Sequence, residues 1–182
     1  MIVRHEVYFY EEDSARADPI AEFVKDGLER LERVIVIATE QRRAELKTRL
    51  LADNVIGLGA VNDDHYVTLD ASTVLSLFLR AGGPDERLFL GVVGQMVRSS
   101  RRDAGVRIYQ EITAVLLASR DYLVGLQVER LWAELINDRK HALLCGYPAS
   151  AFTGAETEDF LAEICACHSE SIGREKCKGK AA

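Results

Sequence analysis

No glycine and no lysine stand between Glu11 and Asp18, the loop that joins an expected first strand (Glu6 to Tyr10) to a helix opened by Pro19. A phosphate cradle needs glycines, so that backbone N–H groups can converge on the anion, and a lysine to meet its charge. This loop holds one arginine, Arg16, and four carboxylates, Glu11, Glu12, Asp13 and Asp18. Carboxylates suit the positive end of a helix but repel a triphosphate. The expectation is a chain that hydrolyses neither ATP nor GTP and is not an enzyme. Nor is there a nucleophile elbow, a His-Glu-x-x-His pair, a Walker motif or a Gly-rich dinucleotide loop.

Other absences narrow the class further. Aromatic residues are only 7% of the chain and are not interleaved with basic ones, and the net charge is −6. Both features argue against direct nucleic-acid binding, and the charge argues against an anionic membrane surface. Residues Met1 to Asp13 hold no apolar run of leader length, and no segment reaches the roughly 18 apolar residues of a membrane span. A cytoplasmic location is expected. The four cysteines, Cys145, Cys165, Cys167 and Cys177, are all in the last quarter and are expected to be reduced.

What is present is a cadence. The 182 residues, 48% hydrophobic and 29% charged, fit one domain over residues 1–172 and a polar, disordered tail over 173–182. Asp18 caps a helix from Pro19 to Arg30. The β-branched run Val34 to Ala38 reads as a central parallel strand buried on both faces. Thr39 or Glu40 opens a helix to Ala52, and His65 to Asp70 is a third strand. Helices follow from Ala71 to Arg80 and from Glu86 to Arg101, with Gly82-Gly83-Pro84 as the break. Val106 to Glu111 is a fourth strand, with strand and helix competing from Tyr109. Asp121 to Ile136 is amphipathic, with Leu123, Leu126, Val128, Leu131, Trp132 and Leu135 as its buried stripe. Ala142 to Pro148 is a fifth strand, and a last helix runs to Ser169. This alternation predicts an α/β three-layer sandwich with a central, mostly parallel sheet of about five strands.

Ligands of open α/β sheets bind outside the C-terminal ends of the strands. The polar residues expected there include Tyr10, Asp70, Glu111 and Cys145, with Tyr147 and His5 near the rim. If all strands are parallel, they converge on one crevice suited to a small organic molecule, or else cap the following helices. Arg42 and Arg43 fit an anion site or a solvated first helical turn. Cys165-Ala166-Cys167-His168 lacks the usual two-residue spacer, and on a helix its cysteines point about 200° apart. Cys165 reads as a small buried hydrophobe and His168 as the polar end of its face. No metal and no cofactor is assigned.

In order along the chain stand His5-x-x-x-Phe9-Tyr10, Phe23-x-x-x-Gly27-Leu28, Val34-x-Val36-Ile37-Ala38-Thr39 and Asp70-Ala71. Pro84-Asp85-x-x-x-x-Phe89, Val106-Arg107-Ile108-Tyr109-x-Glu111 and Leu126-x-x-Glu129-x-Leu131-Trp132-x-x-Leu135 follow. Leu143-Leu144-Cys145-x-Tyr147-Pro148 and Ile164-Cys165-x-x-His168 complete the set. With these the sequence resembles the MEDS domain, the methanogen/methylotroph DcmR sensory domain. The resemblance implies a RecA/KaiC-like fold with a degenerate P-loop. It also implies a sensory role in prokaryotic signal transduction, with hydrocarbon derivatives as ligands. The partner would be a histidine kinase or a transcription regulator, and a homodimer is compatible with it. The family's usual Gly-Glu pair before the second strand is Leu31-Glu32 here. The alternative is a protein-interaction module that acts on a histidine kinase or a sigma-factor regulator with no ligand.

Overall fold

A computed structural model describes residues 4–11, 18–57, 65–98, 105–136, 141–154 and 157–172. Most of the acidic loop, the polar tail and Cys177 lie outside the described residues. The β-branched runs form strands β1 (Arg4–Tyr10), β2 (Arg33–Ala38), β3 (Tyr66–Asp70), β6 (Val106–Gln110) and β7 (His141–Pro148). A sixth strand that the sequence does not announce, β8 (Glu170–Ile172), completes the sheet in the order β3-β2-β6-β7-β1-β8. Every pairing in this sheet is parallel.

Helices α1 (Pro19–Glu29) and α2 (Glu40–Ala52) cover one face. The other carries α3 (Ala71–Phe78), α4 (Glu86–Arg98), α5 (Ile112–Ala118), α6 (Tyr122–Leu135) and α7 (Glu158–Cys167). Strand alternation sorts the side chains: Tyr8, Val34, Val36, Tyr109 and Leu144 face α1 and α2. Val7, Phe9, Ile35, Ile37, Ile108 and Leu143 face the other layer. Gly146 is required beside Tyr109, because a Cβ there would run into the Tyr109 hydroxyl and ring. Among the described residues, no helix is long and apolar enough to cross a membrane.

Several expectations are corrected in detail. The helix from Ala71 stops at Phe78, and the glycines that break it form a small antiparallel hairpin, β4 (Leu79–Arg80) with β5 (Gly83–Pro84). The competition after Tyr109 resolves as strand to Gln110 and helix from Ile112. Leu123 is 78% exposed, whereas α6 buries Gly125, Val128, Glu129 and Trp132. Cys165 is joined in a disulfide, so the cysteines are not all reduced.

Leu31 holds the turn after α1 at φ 58°, a left-handed conformation that favours glycine. The turn bonds normally all the same, with Glu32 N–H donating to Gly27 O at 2.9 Å. Leu31 is 73% exposed and has little packing to lose. Leu31→Gly is therefore expected to stabilise the fold by about 0.5–1 kcal/mol. Urea midpoints check this, and an unchanged or lower midpoint would show that the turn is unstrained.

Candidate functional site

Alternation along β1 and β7 places His5, Cys145 and Tyr147 on the α3–α7 face of the sheet, on neighbouring paired strands. Helix α6 crosses above them and presents Glu129, which is 0% exposed. Its Oε1 accepts hydrogen bonds from the Tyr147 hydroxyl, from Thr113 Oγ1 at 2.6 Å and from Gln110 Nε2 at 3.1 Å. Gln110 is itself fixed, because its Oε1 accepts from Ile112 N at 2.7 Å. The other oxygen, Oε2, is turned toward three different groups. It lies 3.6 Å from His5 Nε2, 3.4 Å from His168 Nε2 and 3.6 Å from Cys145 Sγ. His5 Nε2 and Cys145 Sγ are 3.4 Å apart, and the two imidazole centroids are 4.1 Å apart.

His168 reaches this cluster because α7 ends at Cys167 and His168 turns to an extended conformation, φ −113° and ψ 145°. Its Nδ1 lies 2.6 Å from Ile164 O. A carbonyl only accepts, so Nδ1 carries the proton. Ser169 then fastens the chain to β1, donating from N and from Oγ to His5 O at 2.7 and 2.9 Å. Burial pushes the His168 ring down to about 4, although Glu129 opposes the shift. Burial alone would raise Glu129, but the hydrogen bond from His5 and the charge interaction with His168 outweigh it and hold the carboxyl at about 2. Burial, then the Glu129 charge, push the Cys145 thiol and the Tyr147 hydroxyl well up.

Tyr10 and Glu111 meet elsewhere, on the α1–α2 side. Glu111 accepts from Thr39 N at 3.0 Å, Thr39 Oγ1 at 3.1 Å, Arg42 Nε at 3.1 Å and Tyr109 OH at 2.6 Å. The Arg42 guanidinium lies 4.3 Å from the centre of the Tyr10 ring. Burial, then the Glu111 charge, push Tyr10 up to about 12. Asp70 stands apart from both groups. It caps α3 through Thr73 N at 2.9 Å and bonds Arg43 at 3.2 Å. The backbone bond from Thr73 is the main cause of its lowered pKa. Arg42 and Arg43 are thus engaged by carboxylates rather than forming only a solvated turn.

The six residues expected at one crevice are therefore divided among three places: His5, Cys145 and Tyr147 at the first, Tyr10 and Glu111 at the second, Asp70 at the third. Glu129 is not marked out by composition or spacing, and His168 is reached only through a Cys-x-Cys-His stretch whose spacing argues against a metal. Both residues do fall in stretches that carry the family resemblance, Leu126-x-x-Glu129-x-Leu131-Trp132 and Ile164-Cys165-x-x-His168. Outside the end of β7 lies an open cleft of about 390 Å³, lined by Ala114, Leu117, Tyr122, Pro148, Ala151 and Thr157 among others.

Residues 4–169 match the family model of MEDS, the MEthanogen/methylotroph, DcmR Sensory domain. No curated protein matches the chain. One similar solved structure is described as a structural study of Project ID PH0250 from Pyrococcus horikoshii OT3. It is 10% identical, with a TM-score of 0.54, over 100% of this chain and 92% of that one. At that identity the likeness shows the fold alone. The family match spans nearly the whole chain, which therefore belongs to the MEDS family of sensory domains.

Proposed function

We propose that this chain is a non-catalytic sensory domain that takes up a small organic molecule at the C-terminal ends of its strands and passes the occupancy to a partner protein. A histidine kinase or a transcription regulator fits the family's role. The cleft of about 390 Å³ beside Pro148 carries the reading, because it lies where open α/β sheets bind their ligands and is within the size range of small-molecule pockets. Ala114, Leu117, Ala151 and the Tyr122 ring offer apolar contacts, while Ser150, Thr153, Thr157 and Arg120 make the lining more polar than apolar. That mixture suits a small organic molecule carrying one or more polar groups, such as a short alcohol or carboxylic acid. A non-catalytic role is supported by the fate of the strand-end carboxylates. Glu111 is saturated by four donors and Asp70 by a helix cap and Arg43, which leaves neither poised as a general base.

Thermal-shift and calorimetric titration with small alcohols, carboxylic acids and halocarbons tests the proposal. At least one class is expected to raise the unfolding midpoint of the wild type saturably. Ala118→Trp fills the cleft from an exposed helical position and is expected to abolish that shift. Stabilisation that survives Ala118→Trp would move the site away from the cleft. No stabilisation by any class would favour a protein-interaction module without a ligand.

A further inference from the structure

We propose that His5, Glu129, Cys145 and His168 form a four-coordinate site for a divalent transition metal, with zinc the best match. The site is separate from the cleft beside Pro148 and stands on its own geometry.

One ligand atom from each of the four residues lies within 4.8 Å of all the others. Around a tetrahedral metal with bonds of about 2.0–2.3 Å, neighbouring ligand atoms sit about 3.3–3.7 Å apart. Four of the six edges here measure 3.4, 3.6, 3.6 and 3.4 Å. Two imidazole nitrogens, one sulfur and one carboxylate oxygen make a borderline donor set, which suits zinc rather than magnesium or calcium. A thiolate and a carboxylate also neutralise a divalent ion, so the fully buried site would carry no net charge.

The protonation pattern points the same way. With its proton on Nδ1, held by Ile164 O, His168 turns the lone pair of Nε2 toward Glu129 Oε2. Nε2 is buried and has no hydrogen-bond partner. Nε2 and Glu129 Oε2, 3.4 Å apart, are thus the two atoms of this pair left free to ligate a cation. The bond that fixes Nδ1 is the outer-shell contact common to metal-binding histidines. Tyr147, Thr113 and Gln110 likewise occupy Glu129 Oε1 and leave Oε2 as the ligand atom. Cysteine must be deprotonated to bind a metal. Cys145 would lose its proton to solvent on binding, as metals bring about even for buried thiols.

Cobalt(II) is the probe, added to the full-length protein after exhaustive chelation and under reducing conditions. The expected result is one tightly bound equivalent, showing thiolate-to-cobalt charge transfer and the visible bands of tetrahedral cobalt, and displaced by zinc. Cys145→Ser is expected to remove the charge-transfer band. His168→Ala is expected to weaken binding by about 100-fold or more, beyond the range for outer-shell changes. Cys167→Ser, a half-buried thiol outside the cluster, is expected to leave stoichiometry and spectrum unchanged. Wild type that binds no cobalt, or binds it without the charge-transfer band, overturns the proposal whatever the variants do. So does a band that survives Cys145→Ser and vanishes in Cys167→Ser. Ligand uptake in the cleft is read separately, on chelated protein, so either reading can fail without the other.

Discussion

Trp132→Ala is expected to cost about 3–5 kcal/mol, enough to unfold a domain of ordinary stability or leave it barely folded. Trp132 is the chain's only tryptophan and is fully buried. Its ring meets Phe89 edge to face, 5.3 Å between centroids at 89°, and Phe89 meets Phe78 in the same way at 5.2 Å. This aromatic chain joins α3, α4 and α6 above the sheet, so truncation leaves a cavity that rigid neighbours cannot close. Trp132→Phe should recover most of the loss, because Nε1 has no hydrogen-bond partner to forfeit. Urea denaturation followed by circular dichroism reads both variants. A loss below about 1.5 kcal/mol for Trp132→Ala would mean that α6 can settle into the vacated space.

The same helix shows how far the sequence could be read. The parallel sheet was legible because parallel strands are buried on both faces, and runs such as Val34 to Ala38 therefore carry no alternation to misread. Helix α6 was harder. Choosing its inner face by leucines selects Leu123, which is 78% exposed. The residues that are buried, Gly125, Val128, Glu129 and Trp132, fall at i, i+3, i+4 and i+7, the spacing of a single face. That face contains a glycine and a carboxylate, so a count of large apolar residues finds only Val128 and Trp132 on it.

His168 is a second case. On a continuing helix it would share a face with Cys165, but α7 ends one residue earlier and the extended backbone carries the imidazole to β1 instead. Strand β8 has no comparable signal, because three residues fixed by pairing and by the Ser169 bonds to His5 O carry little propensity of their own. His5, Cys145 and Tyr147, by contrast, could be grouped in advance from period-two alternation on two parallel strands. What joins them is a carboxylate on the buried face of a helix, and that depends on tertiary packing.

Glu129→Ala should therefore behave like loss of a core residue. It strands the Tyr147 hydroxyl, Thr113 Oγ1 and Gln110 Nε2 in a site without water access on the Glu129 side, each at about 1–3 kcal/mol if no new partner is found. Partial rearrangement lowers that sum, and a net loss of about 3–5 kcal/mol is expected, as for other broken buried charge networks. Glu129→Gln keeps the volume, and its amide oxygen can still accept from Tyr147 and Thr113. Its cost should be nearer 1–2 kcal/mol. Urea midpoints of chelated protein compare the two without any contribution from bound metal. Hydrogen exchange adds a local reading, because the cluster ties α6 to β1, β7 and the residue that leads into β8. The amides of residues 168–172 should exchange faster in Glu129→Ala than the global loss of stability accounts for. If both variants stay within about 1 kcal/mol of wild type and those amides keep their protection, Glu129 does not hold α6 to the sheet, and apolar packing around Trp132 and Val128 is enough to dock it.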